Sequence, residues 1–201
     1  MNELVLASNN AKKLKELQAL LPGVQVRTQG ELGVSEAEEP FGTFIENALA
    51  KARHAAQLTG LPALADDSGL CVDALGGLPG VTSARFAQLE VGGERSDAAN
   101  NALLLQRMQG RTDRRGHFVC ALVALRHAQD PQPLIALGRW PLVVLEGVQG
   151  EGGFGYDPIV AAVDFGQSVA SLSAEIKNQH SHRARAMVLL RQQLRDVWGW
   201  A

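Results

Sequence analysis

Five short clusters in this 201-residue chain combine residue types that can do chemistry. Ser8-Asn9-Asn10-Ala11-Lys12-Lys13 falls where an apolar run gives way to a helical pattern. Free backbone N–H groups at a helix start attract phosphate, and a lysine one turn in adds a point charge. The same Ser and Asn are equally ordinary helix caps. Glu38-Glu39 comes shortly before Glu46, Asn47 and Lys51, and Asn47 and Lys51 are spaced to share one helix face. A solvated lysine near an acid explains that pair as well. Asp66-Asp67, between the apolar Ala63-Leu64-Ala65 and Leu70-Cys71-Val72, is the third cluster. Two adjacent carboxylates are costly to bury without a cation; Mg²⁺ would satisfy them, and one could instead serve as a base for water. An exposed turn is the plain alternative.

Gly150-Glu151-Gly152-Gly153-Phe154-Gly155-Tyr156-Asp157-Pro158 formally matches a dinucleotide fingerprint at Gly150, Gly152 and Gly155. That fingerprint must open a helix, and Pro158 follows at once with no helical stripe, so the match is rejected. Phe154, Tyr156 and Asp157 on a glycine-rich loop suit a base-stacking pocket, since aromatic faces accept purines. A flexible hairpin loop is the alternative. The fifth cluster is Lys177 with Ser181-His182-Arg183, at a helix start. Arg and His are good donors to a keto oxygen, whereas a capping serine with a solvated first turn would need no ligand.

The elements that must carry these clusters are legible from periodicity. Leu4–Ala7 suits a buried strand, and Leu14, Leu17, Leu20 and Leu21 line one face of a helix from Ala11 to Leu21. Val24–Thr28 alternates like a strand. A second helix is expected from Thr43 to Leu58, and a third from Ser96 to before Gly110. Ala63–Ala65 and Leu70–Val72 are expected as two short strands around the Asp pair. Phe118–Leu125, Pro133–Trp140 and Leu142–Glu146 follow as successive strands, and Ser181 caps a last helix through Val197. The mixture implies α/β architecture with a central mixed sheet.

Composition sets the outer bounds. Nineteen basic against twenty-one acidic residues leave a formal charge of −2. A surface tracking a nucleic-acid polymer needs a clear basic excess, so that partner is excluded, as is a polybasic membrane anchor. The two cysteines, Cys71 and Cys120, lie in apolar runs and are expected as buried thiols. No signal pattern or membrane-length apolar run is found, so the expected setting is cytoplasmic. The length suits one domain, or two lobes sharing a core.

Taken in order, six motifs resemble one family, the purine nucleoside triphosphate pyrophosphatases that clear deaminated nucleotides (the inosine triphosphatase family). They are Ser8-x-Asn10-x-x-Lys13, Phe44-x-Glu46-Asn47-Ala48-x-x-Lys51-Ala52, Ala65–Leu70, Pro79-Gly80-x-x-Ser83-Ala84-Arg85, Gly153–Pro158 and Ser181-His182-Arg183. The chain departs from the pattern at Asn9 and Lys12, where the family usually or often has Gly, and at Thr82, where an aromatic is frequent. Asn tolerates left-handed backbone angles better than most residues, so the first loop can keep its shape.

The resemblance implies residues 1–201 as a single domain, two lobes around a long central mixed β-sheet with flanking helices and an active-site cleft between them. It also implies a homodimer, Mg²⁺, and hydrolysis of dITP, ITP and XTP or dXTP to the monophosphate and pyrophosphate. On that reading Ser8, Asn9, Asn10, Ala11, Lys12 and Lys13 bind the triphosphate, joined by Lys51. Glu39, Asp67 and Asp66 form the metal set, and Asp67 is the proton acceptor for water. Ser68 touches the nucleotide. Phe154, Gly155, Tyr156, Asp157, Lys177, His182 and Arg183 surround the purine. A donor to the 6-keto oxygen is worth roughly 1–3 kcal/mol against adenine. Guanine shares that oxygen, and no motif addresses its 2-amino group. Two rivals stay open: a related pyrophosphatase for modified pyrimidines such as dUTP, which the base cluster disfavours, and a catalytically silent nucleotide-binding module, disfavoured by Asp66, Asp67, Lys13 and Lys51.

Overall fold

The structure is a computed structural model describing residues 2–200, with Lys12 described by its backbone alone. What the sequence places at the Lys12 side chain therefore lies outside the described residues. The chain runs β1 (Asn2–Leu6), α1 (Ala11–Leu20), β2 (Val24–Thr28), α2 (Phe44–Thr59), β3 (Ala63–Val72), α3 (Phe86–Val91), α4 (Asp97–Arg107), β4 (Arg115–Leu125), β5 (Leu134–Val144), β6 (Val160–Ala162), β7 (Gln167–Ser168), α5 (Ala174–His180) and α6 (His182–Trp198). The strands form a mixed seven-stranded sheet in the order β2-β1-β3-β4-β5-β6-β7. β1 is parallel to β2 and β3, whereas β5–β6 and β6–β7 are antiparallel.

Two compact units share these elements. The first holds residues 1–67, 120–138 and 182–201; the second holds 68–119 and 139–181. Strand β4 is buried on both faces over most of its length, which is why Phe118–Leu125 is a nearly unbroken apolar run rather than an alternating one. Val5, Ala63, Ala65, Ala121 and Val123 pack with Ala48, Ala52 and Ala55 of α2. The intervening residues Leu4, Leu6, Leu64, Cys120 and Leu122 pack with Leu17 of α1 and with Met187 and Leu190 of α6. Alanines on α2 keep that helix close to its strands. In the second unit, Leu70 and Val72 of β3, Trp140 and Leu142 of β5, and Leu103, Leu104 and Met108 of α4 share one core with Tyr156 and Ile159.

Three expectations are corrected. The Asp pair does not sit in a turn: Ala63–Val72 is one continuous strand. The polar interruption survives in a strand because cationic side chains meet both carboxylates. Pro133–Trp140 and Leu142–Glu146 are likewise one strand, β5, in which buried and exposed residues alternate straight through Pro141. Pro141 takes an exposed position, and pairing with β6 begins at the next residue, Leu142. Cys71 is only partly buried, whereas Cys120 is fully buried; both are free thiols. Helix α5 and strands β6 and β7 carry too little periodicity to be expected from sequence.

Candidate active site

Each unit brings together part of the expected residue set. In the first, the loop after β1 makes a compact turn. Ser8 Oγ accepts from Asn10 N at 3.1 Å, and Asn10 Oδ1 accepts from Lys13 N at 3.2 Å, capping α1. Asn9 Oδ1 accepts from Gly30 N at 2.9 Å, which ties this loop to the turn after β2. A Cβ at Gly30 would collide with that amide. Both side-chain caps are local, and Ala11, the first residue of α1, is exposed.

The strand period of two then separates the neighbouring carboxylates. Asp66 follows Leu64 onto the face packed by α1 and α6, and Asp67 follows Ala65 onto the face packed by α2. Asp66 is 1% exposed. Its Oδ1 accepts from Lys13 Nζ at 2.6 Å and its Oδ2 from Arg183 Nε at 2.6 Å. Arg183, 3% exposed, also pairs with Glu16 of α1. The Cys120 thiol donates to Asp66 Oδ2 at 3.3 Å. Burial pushes the Asp66 carboxyl upward, but Arg183 and Lys13 overcome that and hold it well below the usual carboxylate range. Burial and the Asp66 charge push the Cys120 thiol well above its ordinary value.

Asp67, 7% exposed, has a different environment. Lys51 Nζ, presented by α2, donates to Asp67 Oδ1 at 2.9 Å and to Glu39 Oε1 at 2.6 Å. Burial raises the Asp67 carboxyl above its usual range despite Lys51. For Lys51, burial works against the charged form, but Asp67 and Glu39 hold its ammonium above the ordinary lysine value. Lys51 and Lys13 also converge on one acceptor, the Asp66 carbonyl, at 3.0 and 3.4 Å. Helix α2 is fixed for this task by Thr43, whose side chain accepts from Glu46 N and donates to Glu46 Oε2. The Asn47 amide, buried, makes a two-way bridge to the backbone of Phe41.

The donor set bears on a metal. Among the described residues no group of three or more His, Cys, Asp or Glu side chains is arranged to hold one. Asp66 has a lysine on one oxygen and an arginine on the other. Glu39 and Asp67 fit better. They share one lysine, and Asp67 Oδ2 is buried with no hydrogen-bond partner among the described residues. Mg²⁺ commonly takes one or two carboxylates, with phosphate and water oxygens completing its shell.

The second unit holds the glycine-rich loop. Asp157 Oδ2 accepts from Phe154 N at 3.2 Å and from Lys177 Nζ at 2.6 Å. Lys177 lies 5.8 Å from the Phe154 ring centroid. A Cβ on Gly153, at φ 80°, would run into the Asp157 carboxylate. Tyr156 is 5% exposed and its hydroxyl donates to Ser83 O at 2.8 Å. Ser83 Oγ in turn accepts from Leu70 N, so the Ser83 and Tyr156 of two sequence motifs meet in one contact. Burial, with the Asp97 charge, pushes the Tyr156 hydroxyl above its ordinary value. Ser68 is half-buried at the start of this unit.

His182 and Arg183 belong to the first unit, not to that of Lys177 and Phe154. Gly138 of β5 lets the start of α6 lie against it, because a Cβ there would strike the His182 carbonyl. Arg183 Nε pairs with Asp66 and one of its terminal nitrogens with Glu16. Sequence reasoning passed over Glu16, Cys120 and Asp97. Glu16 carried a usable signal, since it lies three residues after Lys13 on the same helix face.

The mixed sheet and the lysine–carboxylate constellation at β3 define an α/β protein of enzyme type. The chain belongs to the Ham1 family, whose model matches residues 4–193. It is 58% identical to the dITP/XTP pyrophosphatase of Leptothrix cholodnii, over 97% of this chain and 98% of that one. The dITP/XTP pyrophosphatase of Ralstonia nicotianae gives the same three values. Among solved structures, a HAM1 protein from Coxiella burnetii matches with a TM-score of 0.91 at 41% identity, covering 98% of this chain and 100% of that one. Among the described residues no helix is long and apolar enough to cross a membrane.

Proposed function

We propose that this protein hydrolyses dITP, ITP and XTP or dXTP to the nucleoside monophosphate and pyrophosphate, removing deaminated purines from the nucleotide pool. The observation that carries this reading is Asp67: buried, with one oxygen on Lys51 and the other without a hydrogen-bond partner. Water oxygen attacks the α-phosphorus. The bond from that phosphorus to the oxygen bridging to the β-phosphorus breaks, and pyrophosphate leaves with the electron pair. Asp67 takes the proton from the water, and its raised affinity for a proton suits that role.

The loop after β1 and the first turn of α1, from Ser8 to Lys13, bind the triphosphate together with Lys51. Lys13 and Lys51 offset its charge while sharing the Asp66 carbonyl, which draws both ammonium groups to one backbone oxygen of β3. Glu39 and Asp67 would hold Mg²⁺, which supplies charge neutralisation on phosphate oxygens when bound. Ser68, Phe154, Gly155, Asp157, Lys177 and His182 serve the nucleoside, with Tyr156 and Arg183 supporting from the core. The relatives' names, dITP/XTP pyrophosphatase, support the substrate class. We assign the protein to the cytoplasm and to a homodimer; a light-scattering mass of one 21.5 kDa chain would overturn the latter.

The test is a substrate panel with Mg²⁺ and separate detection of pyrophosphate and orthophosphate. Pyrophosphate from dITP and XTP, with little turnover of dATP and dGTP, is expected. Orthophosphate release overturns the reaction, and equal rates on all four overturn the substrate class.

A further inference from the structure

The glycine-rich loop is gripped by a helix that none of the motifs covers. Asp97 Oδ2 accepts from Gly155 N at 2.9 Å, and Asn101 Nδ2 donates to Gly155 O at 3.0 Å. The two residues are four apart on α4 and so share one face. Together they hold both backbone polar groups of a single residue. That residue has φ 60° and no side chain with which the fold could fix it otherwise. The neighbouring Asn100 has separate work, accepting from Ala87 N and donating to Ala84 O. Asn101 Oδ1 is buried with no hydrogen-bond partner among the described residues. The fold thus tolerates an unsatisfied oxygen to keep this amide directed at Gly155.

We propose that Asp97 and Asn101 are positioning residues for base selection, pinning the Phe154–Gly155 backbone so that the loop cannot shift to admit a purine carrying a 2-amino group. This rests on the purine-triphosphate reading above. Hypoxanthine and guanine share the 6-keto oxygen and differ at position 2, so a donor at position 6 cannot separate them. A displacement of about an ångström would suffice to accommodate an extra amine, and small misplacements are known to be costly at such sites. A loop held at both ends of one residue resists that displacement, whereas a hinge glycine left to itself would not.

The experiment measures kcat/KM for dITP and dGTP on the full-length protein and its variants. Asp97→Ala and Asn101→Ala are each expected to lower the dITP-over-dGTP preference by about tenfold. Asp97→Asn keeps an oxygen that can accept from Gly155 N, and its preference should stay within about twofold of wild type. Ser96→Ala is the structural control. Ser96 caps the same helix through Ala99 N, so its loss lowers the melting temperature but leaves the preference unchanged. Because both substrates are measured on one sample, the unfolded fraction cancels in the ratio. If Asp97→Ala does not fold, Asn101→Ala decides. A wild-type preference that neither alanine variant moves overturns the positioning role alone. A wild type with no preference for dITP over dGTP overturns the substrate class itself.

Discussion

The two units fix their functional groups by opposite means. In the first, charges hold charges: Lys13, Asp66, Arg183 and Glu16 form one chain of ion pairs around the buried Asp66 and Arg183, and Lys51, Glu39 and Asp67 form another. In the second, side chains mostly hold backbone: Asp157 takes Phe154 N, Asp97 and Asn101 take Gly155, and Tyr156 takes Ser83 O. Removing one member of a buried ion pair leaves an uncompensated charge, and the loss is steep. Removing one hydrogen bond to a loop shifts its position by degrees. On the proposed reading, phosphate chemistry would draw on the fixed charge of the first arrangement and discrimination between similar bases on the fixed shape of the second.

The largest effect should come from Asp67→Asn, which keeps the shape and removes the base. Turnover of dITP is expected to fall by roughly 10³-fold, within the range for loss of a general base. The fold should persist, because burial disfavours the ionised form of this residue. A pyrophosphate assay with a thermal melt checks both halves, and near-normal turnover would place the base elsewhere.

Asp66→Ala tests the same strand on its other face. Arg183 would lose its Asp66 partner while staying buried, at a cost of about 3–5 kcal/mol. That corresponds to a fall in melting temperature on the order of 10 °C. Its pH dependence has a definite sign. A carboxyl held well below its ordinary value of about 3.9 contributes stability that is complete above that value. The contribution is lost as pH falls through the lower, folded-state value. Wild-type stability should therefore show an acid loss that the variant lacks, followed by denaturant melts at several pH values. Two adjacent aspartates would then separate cleanly, one failing in chemistry and one in stability.

In the second unit, Gly153→Ala should be milder. The new Cβ meets the Asp157 carboxylate at a positive φ, and about 1–3 kcal/mol of strain is expected. The loop can yield, so the main readout is a rise in KM for dITP with a smaller change in kcat. A kcat collapse with unchanged KM would break the contrast between the units.

Motif order made the residue set legible, but not the division of labour within it. Asp66 and Asp67 look alike in sequence, and only the strand period, once β3 is known to be continuous, sends one to Arg183 and the other to Lys51. A pair of charged residues in an apolar run invites a turn because the compensating cations are distant in sequence: Arg183 lies 117 positions away. The contact of the Tyr156 hydroxyl with Ser83 O, 73 positions away, was equally hidden from local pattern. Helices α1, α2 and α4 were legible because their caps and apolar stripes are local.

Those caps supply the smallest and most symmetrical test. Thr43 caps α2 in the first unit and Ser96 caps α4 in the second, each through the backbone N–H three residues on. Either alanine substitution should cost about 1 kcal/mol, or roughly 2–4 °C in a chain of this size. Their functional effects should nonetheless be small for different reasons. Lys51 is eight residues from Thr43, and the Asn47 bridge to Phe41 braces the intervening turn, so kcat for dITP should hold within about twofold. Asp97 directly follows Ser96, but its grip on Gly155 is shared with Asn101 one turn further on, beyond the reach of fraying at the cap. A selective loss of kcat in Thr43→Ala would show that the ion pairs around Lys51 depend on the helix start. The charges would then be following the backbone rather than fixing it, and the contrast between the two units would shrink to a difference of degree.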